Sequence, residues 1–127
     1  MAMEHVRHGK GAVRPYLFGP IDLPQFLAKA FGAVEVERHD MGPESSHVEM
    51  QIGDSVVVVE AGKLPPDFTP TVASVYVYVP DIDDAYARAM DAGAESIAAP
   101  EDKHYEERSA GIRDPFGNTW WISTYTG

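Results

Sequence analysis

Residues 113–125, RDPFGNTWWISTY, decide the fold. Asp114, Pro115 and Gly117 stand at the first, second and fourth positions of a type I turn, where Asp bonds the backbone, Pro presets φ and Gly suits the exit. The residues after the turn are mostly β-branched or aromatic, which is typical of a half-buried strand. The stretch therefore predicts the end of one strand, a tight turn and a closing strand.

A shorter version of this hairpin occurs earlier in the chain, and other landmarks repeat with it. The predicted helix starts, helix stops and hairpin aspartates recur at offsets of 59, 61 and 60 residues: Asp22 and Asp81, Gly32 and Gly93, Asp54 and Asp114. A period this long that occurs only twice does not suit a solenoid, which needs about three repeats or more. It predicts two fused modules of the same order.

Each half of the chain is predicted to follow the order β-α-β-β-β. The strands cover residues 13–18, 34–38, 47–52 and 55–60 in the first half, and 71–79, 95–99, 108–113 and the closing stretch in the second. Apolar residues at i, i+3, i+4, i+7 and i+8 predict one buried helix face in each half: Leu23, Phe26, Leu27, Ala30 and Phe31, then Ile82, Ala85, Tyr86, Ala89 and Met90. Asp22 (with Gln25 as a capping-box partner) and Asp81 are predicted caps, and Gly32 and Gly93 predicted stops.

The predicted fold is α+β, with two tandem βαβββ modules that form curved sheets around a cleft and carry their helices outside. Residues 1–12 are expected to be a flexible leader, because they show no period. Residues 13–127 form the single domain. Within it, module 1 covers 13–62, a proline-bearing linker covers 63–70, and module 2 covers 71–127.

Composition excludes several classes of function. The chain carries 10 Lys and Arg against 20 Asp and Glu, a net charge of −10 that repels nucleic acid and anionic membranes. It has no cysteine, which excludes disulfides, thiolate metal sites and a cysteine nucleophile. No apolar run approaches the roughly 20 residues of a membrane span, and the first residues lack a secretory apolar core, so a cytoplasmic location is expected.

Two βαβββ modules in a chain of this length resemble the vicinal oxygen chelate superfamily, which includes glyoxalase I, extradiol dioxygenases, fosfomycin-resistance enzymes and bleomycin-binding proteins. Three segments look like its PhnB-like branch: KAFGA at 29–33, HVEMQIGDS at 47–55 and RSAGIRDPFGNTWWI at 108–122. The resemblance covers about residues 13–126. It implies the glyoxalase/bleomycin-resistance fold, a small-molecule cleft and a homodimer.

Metal enzymes of that superfamily take their ligands from the first and last strands of each module. By strand position those places are Pro15, Glu60, Ser74 and Trp121, of which only Glu60 binds a divalent cation in the usual way. A catalytic site needs three or four nitrogen or oxygen donors. The sequence therefore predicts neither a metal site nor a cofactor, and it departs from the metal-dependent members.

Strand alternation assigns residues to a predicted ligand cleft. Its members are His47, Glu49, Glu60, Ser74, Tyr76, Tyr78, Trp121 and Ser123. Aromatic walls with a few polar groups are typical of a small-molecule site, and aromatic faces beside carboxylates suit an aromatic or cationic ligand. The same tyrosines also suit a packed sheet or a dimer interface, and His47 with Glu49 also suits a solvated strand face. His47 with Glu49 or Glu60 is a candidate acid/base pair.

Three functions stay open at this level. The first is a metal-free protein that binds a small molecule in the cleft between the modules. The second is a metal-dependent lyase, isomerase or dioxygenase whose ligands include His47, Glu60 and His104. The third is a non-catalytic dimer that binds a partner. The charged segment 101–108, which contains His104, is either a lid over the cleft or a solvated loop.

Overall fold

The computed structural model describes residues 4–64 and 66–127, so Met1, Ala2, Met3 and Pro65 lie outside the described residues. Module 1 consists of β1 (Tyr16–Gly19), α1 (Leu23–Phe31), β2 (Val34–Asp40), β3 (Ser45–Ile52) and β4 (Ser55–Gly62). Module 2 consists of β5 (Ser74–Tyr78), α2 (Ile82–Asp91), β6 (Glu95–Lys103), β7 (Glu107–Arg113) and β8 (Thr119–Tyr125). The predicted α+β fold with two βαβββ modules is confirmed.

Each module folds its four strands into one mixed sheet. The strand orders are β1-β4-β3-β2 and β5-β8-β7-β6, so the two sheets have the same topology. The first and last strands of each module pair in parallel, and the other neighbours pair antiparallel. In the described part of the chain, no helix is long and apolar enough to cross a membrane.

The two helices begin differently although both follow an aspartate. The Asp81 carboxylate accepts a hydrogen bond from the Asp84 backbone N at 3.2 Å, as predicted. Asp22 makes no such side-chain bond, so the predicted capping box is wrong. Pro24 has no N–H to offer a cap in the first turn, and the Gln25 N–H bonds instead to the backbone oxygen of Asp22 at 3.1 Å.

Asp114 organises the turn that joins β7 to β8. The Gly117 N–H donates to the Asp114 backbone oxygen at 2.9 Å, which closes the predicted turn. The Asp114 carboxylate is buried and accepts from the backbone N–H groups of residues 116, 117 and 118, all at 3.0–3.1 Å. It also accepts from the Trp120 indole N–H at 2.8 Å. The turn is therefore fixed to the core strand that follows it.

The two modules share a single core. The apolar faces of α1 and α2 pack against each other and against one face of each sheet, which we call the inner face. The Phe31 ring on α1 lies 4.8 Å, between centroids, from the Trp120 ring on β8. The helices therefore lie between the modules, in the core that joins them. This arrangement differs from the expected one, in which the helices lay outside a cleft between the sheets.

The strand faces follow the predicted alternation. Val57 and Val59 on β4 and Val77 on β5 belong to the core, so they lie on the inner faces. Their strand neighbours belong to the opposite, outer faces, including Glu60 on the first sheet and Tyr76 on the second. Because the inner faces meet in the core, the outer faces are the surfaces that the core leaves uncovered.

Two segments predicted to be loops have structure. The segment 101–107 belongs largely to a β-hairpin, because β6 continues to Lys103 and β7 begins at Glu107. The N-terminal residues 4–12, expected to be a flexible leader, include a short 3₁₀ helix (Arg7–Gly9) and contact the first sheet through ion pairs. The predicted first strand is shorter than expected and begins at Tyr16.

Candidate functional site

The predicted site residues fall into two groups on different sheets. His47, Glu49 and Glu60 lie on the outer face of the first sheet. The other group lies on the outer face of the second sheet, and its members are Ser74, Tyr76, Tyr78, Trp121 and Ser123. Among the described residues, no hydrogen bond, ion pair or ring contact joins the side chains of the two groups. The side chains of the two groups therefore do not meet within one chain.

The first group forms a charged network on neighbouring strands. The imidazole Nδ1 of His47 is hydrogen-bonded to the carboxylate of Glu60, its cross-strand partner. Its Nε2 lies 3.7 Å from the carboxylate of Glu49. Glu49 is only 5 % exposed, and its oxygen accepts from the Arg14 guanidinium at 2.9 Å. Burial, followed by the nearby Glu60 carboxylate, raises the pKa of the Tyr16 phenol. Here every polar side chain already has an internal partner.

The N-terminal segment covers this first face. The Arg14 guanidinium donates to the backbone oxygens of Arg7, Lys10 and Gly11 at 2.7–3.0 Å, as well as to Glu49. The Arg7 side chain lies 3.1 Å from the carboxylate of Glu37 on β2. The chain's own basic residues therefore neutralise the acidic face, which leaves it little free surface for a ligand.

The second group contains a buried carboxylate that sequence reasoning missed. The phenol O–H groups of Tyr76 and Tyr78 each donate to one oxygen of Glu107 on β7. These bonds, Tyr76 first, lower the pKa of Glu107, and the bond to Glu107 raises the pKa of Tyr78 to about 12. Ser123 is fully buried, and its hydroxyl donates to the Tyr76 oxygen at 2.8 Å.

Glu107 was missed because the sequence placed it in a charged loop. The pairing of Lys103 with Glu107 extends the β6–β7 hairpin beyond the predicted strand ends. The period-two spacing of Glu107, Ser109 and Gly111 was the available signal, since it puts all three on the face that carries Trp121 and Ser123.

A pocket of about 280 Å³ opens on the outer face of the second sheet. Three aromatic side chains, one lysine and a floor of small residues line it: Tyr76, Tyr105, Trp121, Lys103, Ala98, Ser109 and Ala110. Lys103 is the one charged side chain among them, and its ammonium lies 2.5 Å from the Glu101 carboxylate. Lys103 and Tyr105 come from the segment predicted as a lid or loop, and they form part of the pocket's wall.

The Trp121 indole lies over Gly111 on the neighbouring strand. A Cβ on that glycine would stand 2.5 Å from Cζ3 of the indole, closer than two carbon atoms pack. The missing side chain thus lets the indole lie down against the sheet. This placement gives the pocket a flat aromatic wall.

The residues do not fit the metal site that the fold implies for catalytic members. Of the four strand positions, only Glu60 is a ligating side chain, and its oxygen is already bonded to His47. The alternative set also fails, because His104 lies in the β6–β7 turn against Tyr105, whereas His47 and Glu60 lie on the first sheet. Within residues 4–64 and 66–127, no group of three or more His, Asp or Glu side chains is arranged to hold a metal ion.

The fold consists of two repeated βαβββ modules, each with a mixed four-stranded sheet and one helix. The family model described as Glyoxalase/Bleomycin resistance protein/Dioxygenase superfamily matches residues 24–122. The chain belongs to this superfamily. The finer assignment to the PhnB-like branch stays a prediction.

Relatives of similar sequence occur in mycobacteria. The uncharacterized protein Mb0911c of Mycobacterium bovis is 32% identical over 106 residues, which is 75% of this chain and 69% of that protein. The uncharacterized protein Rv0887c of Mycobacterium tuberculosis is also 32% identical over 106 residues, which is 75% of this chain but only 62% of Rv0887c. The chain thus covers about two thirds of the length of these relatives.

Solved structures with the same fold are more distant in sequence. TioX from Micromonospora sp. ML1 superposes with a TM-score of 0.72 at 22% identity, covering 90% of this chain and 95% of TioX. The fosfomycin resistance protein FosX from Listeria monocytogenes gives a TM-score of 0.66 at 16% identity, covering 92% and 94%. At these identities the likeness establishes the fold alone.

Proposed function

We propose that this protein binds a small planar aromatic molecule in the pocket of module 2. The observation that carries the proposal is the convergence of the Tyr76, Tyr105 and Trp121 side chains on one pocket. Aromatic walls around a few polar groups are the usual composition of small-molecule sites, and ring stacking adds to the burial of apolar area. The outer face of the first sheet supports ligand binding less well, because the N-terminal segment covers it.

The charges around the pocket favour a neutral or anionic aromatic molecule over a cation. Lys103 lines the pocket, so its ammonium disfavours a cationic ligand, while the Glu101 carboxylate already pairs with it. Glu107 is close by, but both of its oxygens already accept hydrogen bonds from tyrosines. The cationic ligand expected as one option from sequence therefore finds no free carboxylate here.

Metal independence is part of the proposal. It rests on the single ligating side chain, Glu60, at the superfamily's ligand positions. The alternative is a metal-dependent lyase, isomerase or dioxygenase. Calorimetric titration with Ni²⁺, Zn²⁺, Mn²⁺ and Fe²⁺ separates the two, and tight stoichiometric binding that is lost in Glu60→Gln would favour the enzyme.

A homodimer and a cytoplasmic location also belong to the proposal. Outside the pocket, the outer face of the second sheet leaves Tyr78 59% exposed and Tyr125 61% exposed, and a second copy of the chain would shield such aromatic surface. A monomeric mass by light scattering at working concentration would contradict the dimer and would also leave a partner-binding dimer without support.

A fragment titration tests the binding site. A panel of planar aromatic compounds is titrated into the protein and followed by NMR. We expect saturable binding that Trp121→Ala weakens by about five- to tenfold, since ring stacking contributes roughly 1 kcal/mol. Tyr125→Ala is the matched control, because Tyr125 lies on the same strand and face, is 61% exposed and does not line the pocket. Absence of binding, or equal loss in both variants, would contradict the proposal.

A further inference from the structure

We infer that the ligand of this pocket must donate a hydrogen bond to the Ser109 hydroxyl oxygen, so that the preferred aromatic molecules carry a ring N–H or O–H group. The inference rests on the proposed aromatic pocket and names the chemical class of its ligand. Its basis is a hydrogen-bonded series of side chains that begins at the Glu107 carboxylate and ends at the Ser109 hydroxyl on the pocket floor. Every hydroxyl proton in this series is already donated to another member.

The Glu107 carboxylate fixes the direction of the series. An ionised carboxylate only accepts hydrogen bonds, and each of its oxygens here accepts from one phenol. A phenol has a single hydroxyl proton, and Tyr76 and Tyr78 both donate theirs to Glu107. The Tyr76 oxygen is then left as an acceptor for its next neighbour.

The two serines continue the series in the same direction. The Ser123 hydroxyl donates to the Tyr76 oxygen at 2.8 Å, which uses its only proton. Ser109 and Ser123 are cross-strand partners whose hydroxyl oxygens are hydrogen-bonded to each other. Because the Ser123 proton is already committed, Ser109 must be the donor of that bond. The Ser109 oxygen therefore keeps only lone pairs to offer.

Within this hydrogen-bonded series, Ser109 is the residue on the floor of the pocket. It is only 8 % exposed and lines the pocket together with Trp121 and Tyr76. Its hydroxyl has no other hydrogen-bond partner among the described residues. A ligand that stacks on Trp121 excludes water from the Ser109 oxygen. If that ligand has no hydrogen-bond donor, the oxygen is left without a partner, and this loss weakens binding. Indoles, phenols and amino-substituted aromatics supply the required donor.

Indole and benzofuran provide the test, because they have nearly the same shape and differ at one ring atom, a donor N–H against an oxygen without a proton. Their dissociation constants are measured by NMR titration into the intact protein. We expect indole to bind about three- to tenfold more tightly, which is the range for one net hydrogen bond. In Ser109→Ala the ratio should fall to about one, since the acceptor is gone while the Trp121 wall remains.

A second variant tests whether Ser109→Ala acts only by disturbing the structure of the pocket. Ser123→Ala frees the Ser109 proton, so Ser109 can then donate, and the preference for indole should also fall. Tyr125→Phe, which removes a hydroxyl from the same sheet face but outside the pocket, should keep the preference. Equal binding of indole and benzofuran to the wild type would overturn the inference and leave the aromatic pocket standing. If neither compound binds, the proposed function fails and the inference fails with it.

Discussion

The indole of Trp121 lies over Gly111, its cross-strand partner, so closely that a Cβ there would stand 2.5 Å from Cζ3 and 2.8 Å from Cε3. This relationship sets the shape of the pocket in module 2. Side chains opposite each other on neighbouring strands normally stand side by side, and only a missing side chain leaves room for a ring to lie down.

Gly111→Ala is expected to displace the Trp121 ring and destabilise the protein. Overpacking a close contact typically costs about 1–3 kcal/mol, and the shifted indole should also weaken binding of aromatic ligands. Denaturant unfolding and ligand titration measure the two effects. A double-mutant cycle provides the control, because the cost of Gly111→Ala should largely disappear in a Trp121→Ala background. An unchanged cost in that background would contradict the contact.

Asp114→Ala is expected to destabilise the fold strongly. Its carboxylate accepts from the backbone of the turn and from the Trp120 indole, and Trp120 is fully buried. Hydrogen bonds to a charged group contribute about 1.5–3 kcal/mol each and are not additive, so we expect a loss of roughly 3 kcal/mol in the free energy of unfolding. Urea unfolding with tryptophan fluorescence measures it.

The internal repeat supplies the control for this prediction. Asp54 occupies the corresponding hairpin in module 1, but it is exposed, and within the described residues its carboxylate accepts a single hydrogen bond, from the Ser55 hydroxyl at 3.4 Å. Asp54→Ala should therefore change the free energy of unfolding by no more than about 0.5 kcal/mol. Equal losses at the two positions would mean that the turn, and not the buried network, carries the effect.

Acid should remove the stabilisation that Glu107 provides. The Tyr76 and Tyr78 hydrogen bonds lower the pKa of Glu107 in the folded protein below that of an unfolded glutamate, about 4.3. Its contribution is therefore fully present above that pH and is lost as the pH falls through the folded pKa. Urea unfolding from neutral to acidic pH should show the difference between wild type and Glu107→Gln shrinking in acid. A difference independent of pH would contradict this assignment.

Alkali should act on the same cluster through Tyr78. Its pKa is raised to about 12, against about 10 for an ordinary tyrosine, chiefly by the hydrogen bond to Glu107. The resulting stabilisation is complete below the unfolded value and is lost as the pH rises from there through the folded value. Tyrosinate absorbance, compared between wild type and Tyr78→Phe, should reveal one phenol that titrates late. In Glu107→Gln that phenol should titrate nearer its ordinary pKa.

Local pattern was sufficient to predict most of the fold. The apolar spacing that begins at Leu23 and Ile82 predicted both helices, and the turn residues around Asp114 predicted the closing hairpin. Strand alternation then assigned Glu60 and Tyr76 to the faces that the core leaves uncovered. These features depend on residues that are close in sequence, so a single amino-acid sequence is sufficient to predict them.

The rest depends on contacts between distant residues. The extension of β7 to Glu107 requires pairing with Lys103 across a turn, and the period-two spacing of Glu107 and Ser109 does not by itself show where that strand begins. The packing of Phe31 against Trp120 places the helices between the modules, and an amphipathic helix face does not say which surface it will meet. Sequence therefore assigned Tyr76 and Trp121 to the sheet face where the pocket lies, but it predicted neither the Glu107 carboxylate beside them nor the separation of the two groups of residues.

Arg14 is expected to hold the N-terminal segment on the first sheet. Its guanidinium donates hydrogen bonds to the backbone oxygens of Arg7, Lys10 and Gly11 and to the buried carboxylate of Glu49. Arg14 and Glu49 are 35 residues apart in sequence, so this bond ties the segment to the sheet. Arg14→Gln should release the segment and raise amide hydrogen exchange in residues 7–14 by about tenfold or more, since a buried charge-assisted bond contributes roughly 1.5–3 kcal/mol. Arg113→Gln is the matched control, because its ion pair among the described residues, with the exposed Glu95, spans 3.7 Å and should contribute little. If exchange in residues 7–14 is equally fast in the wild type, the segment is not held, and the first face would be open to a ligand as the sequence originally suggested.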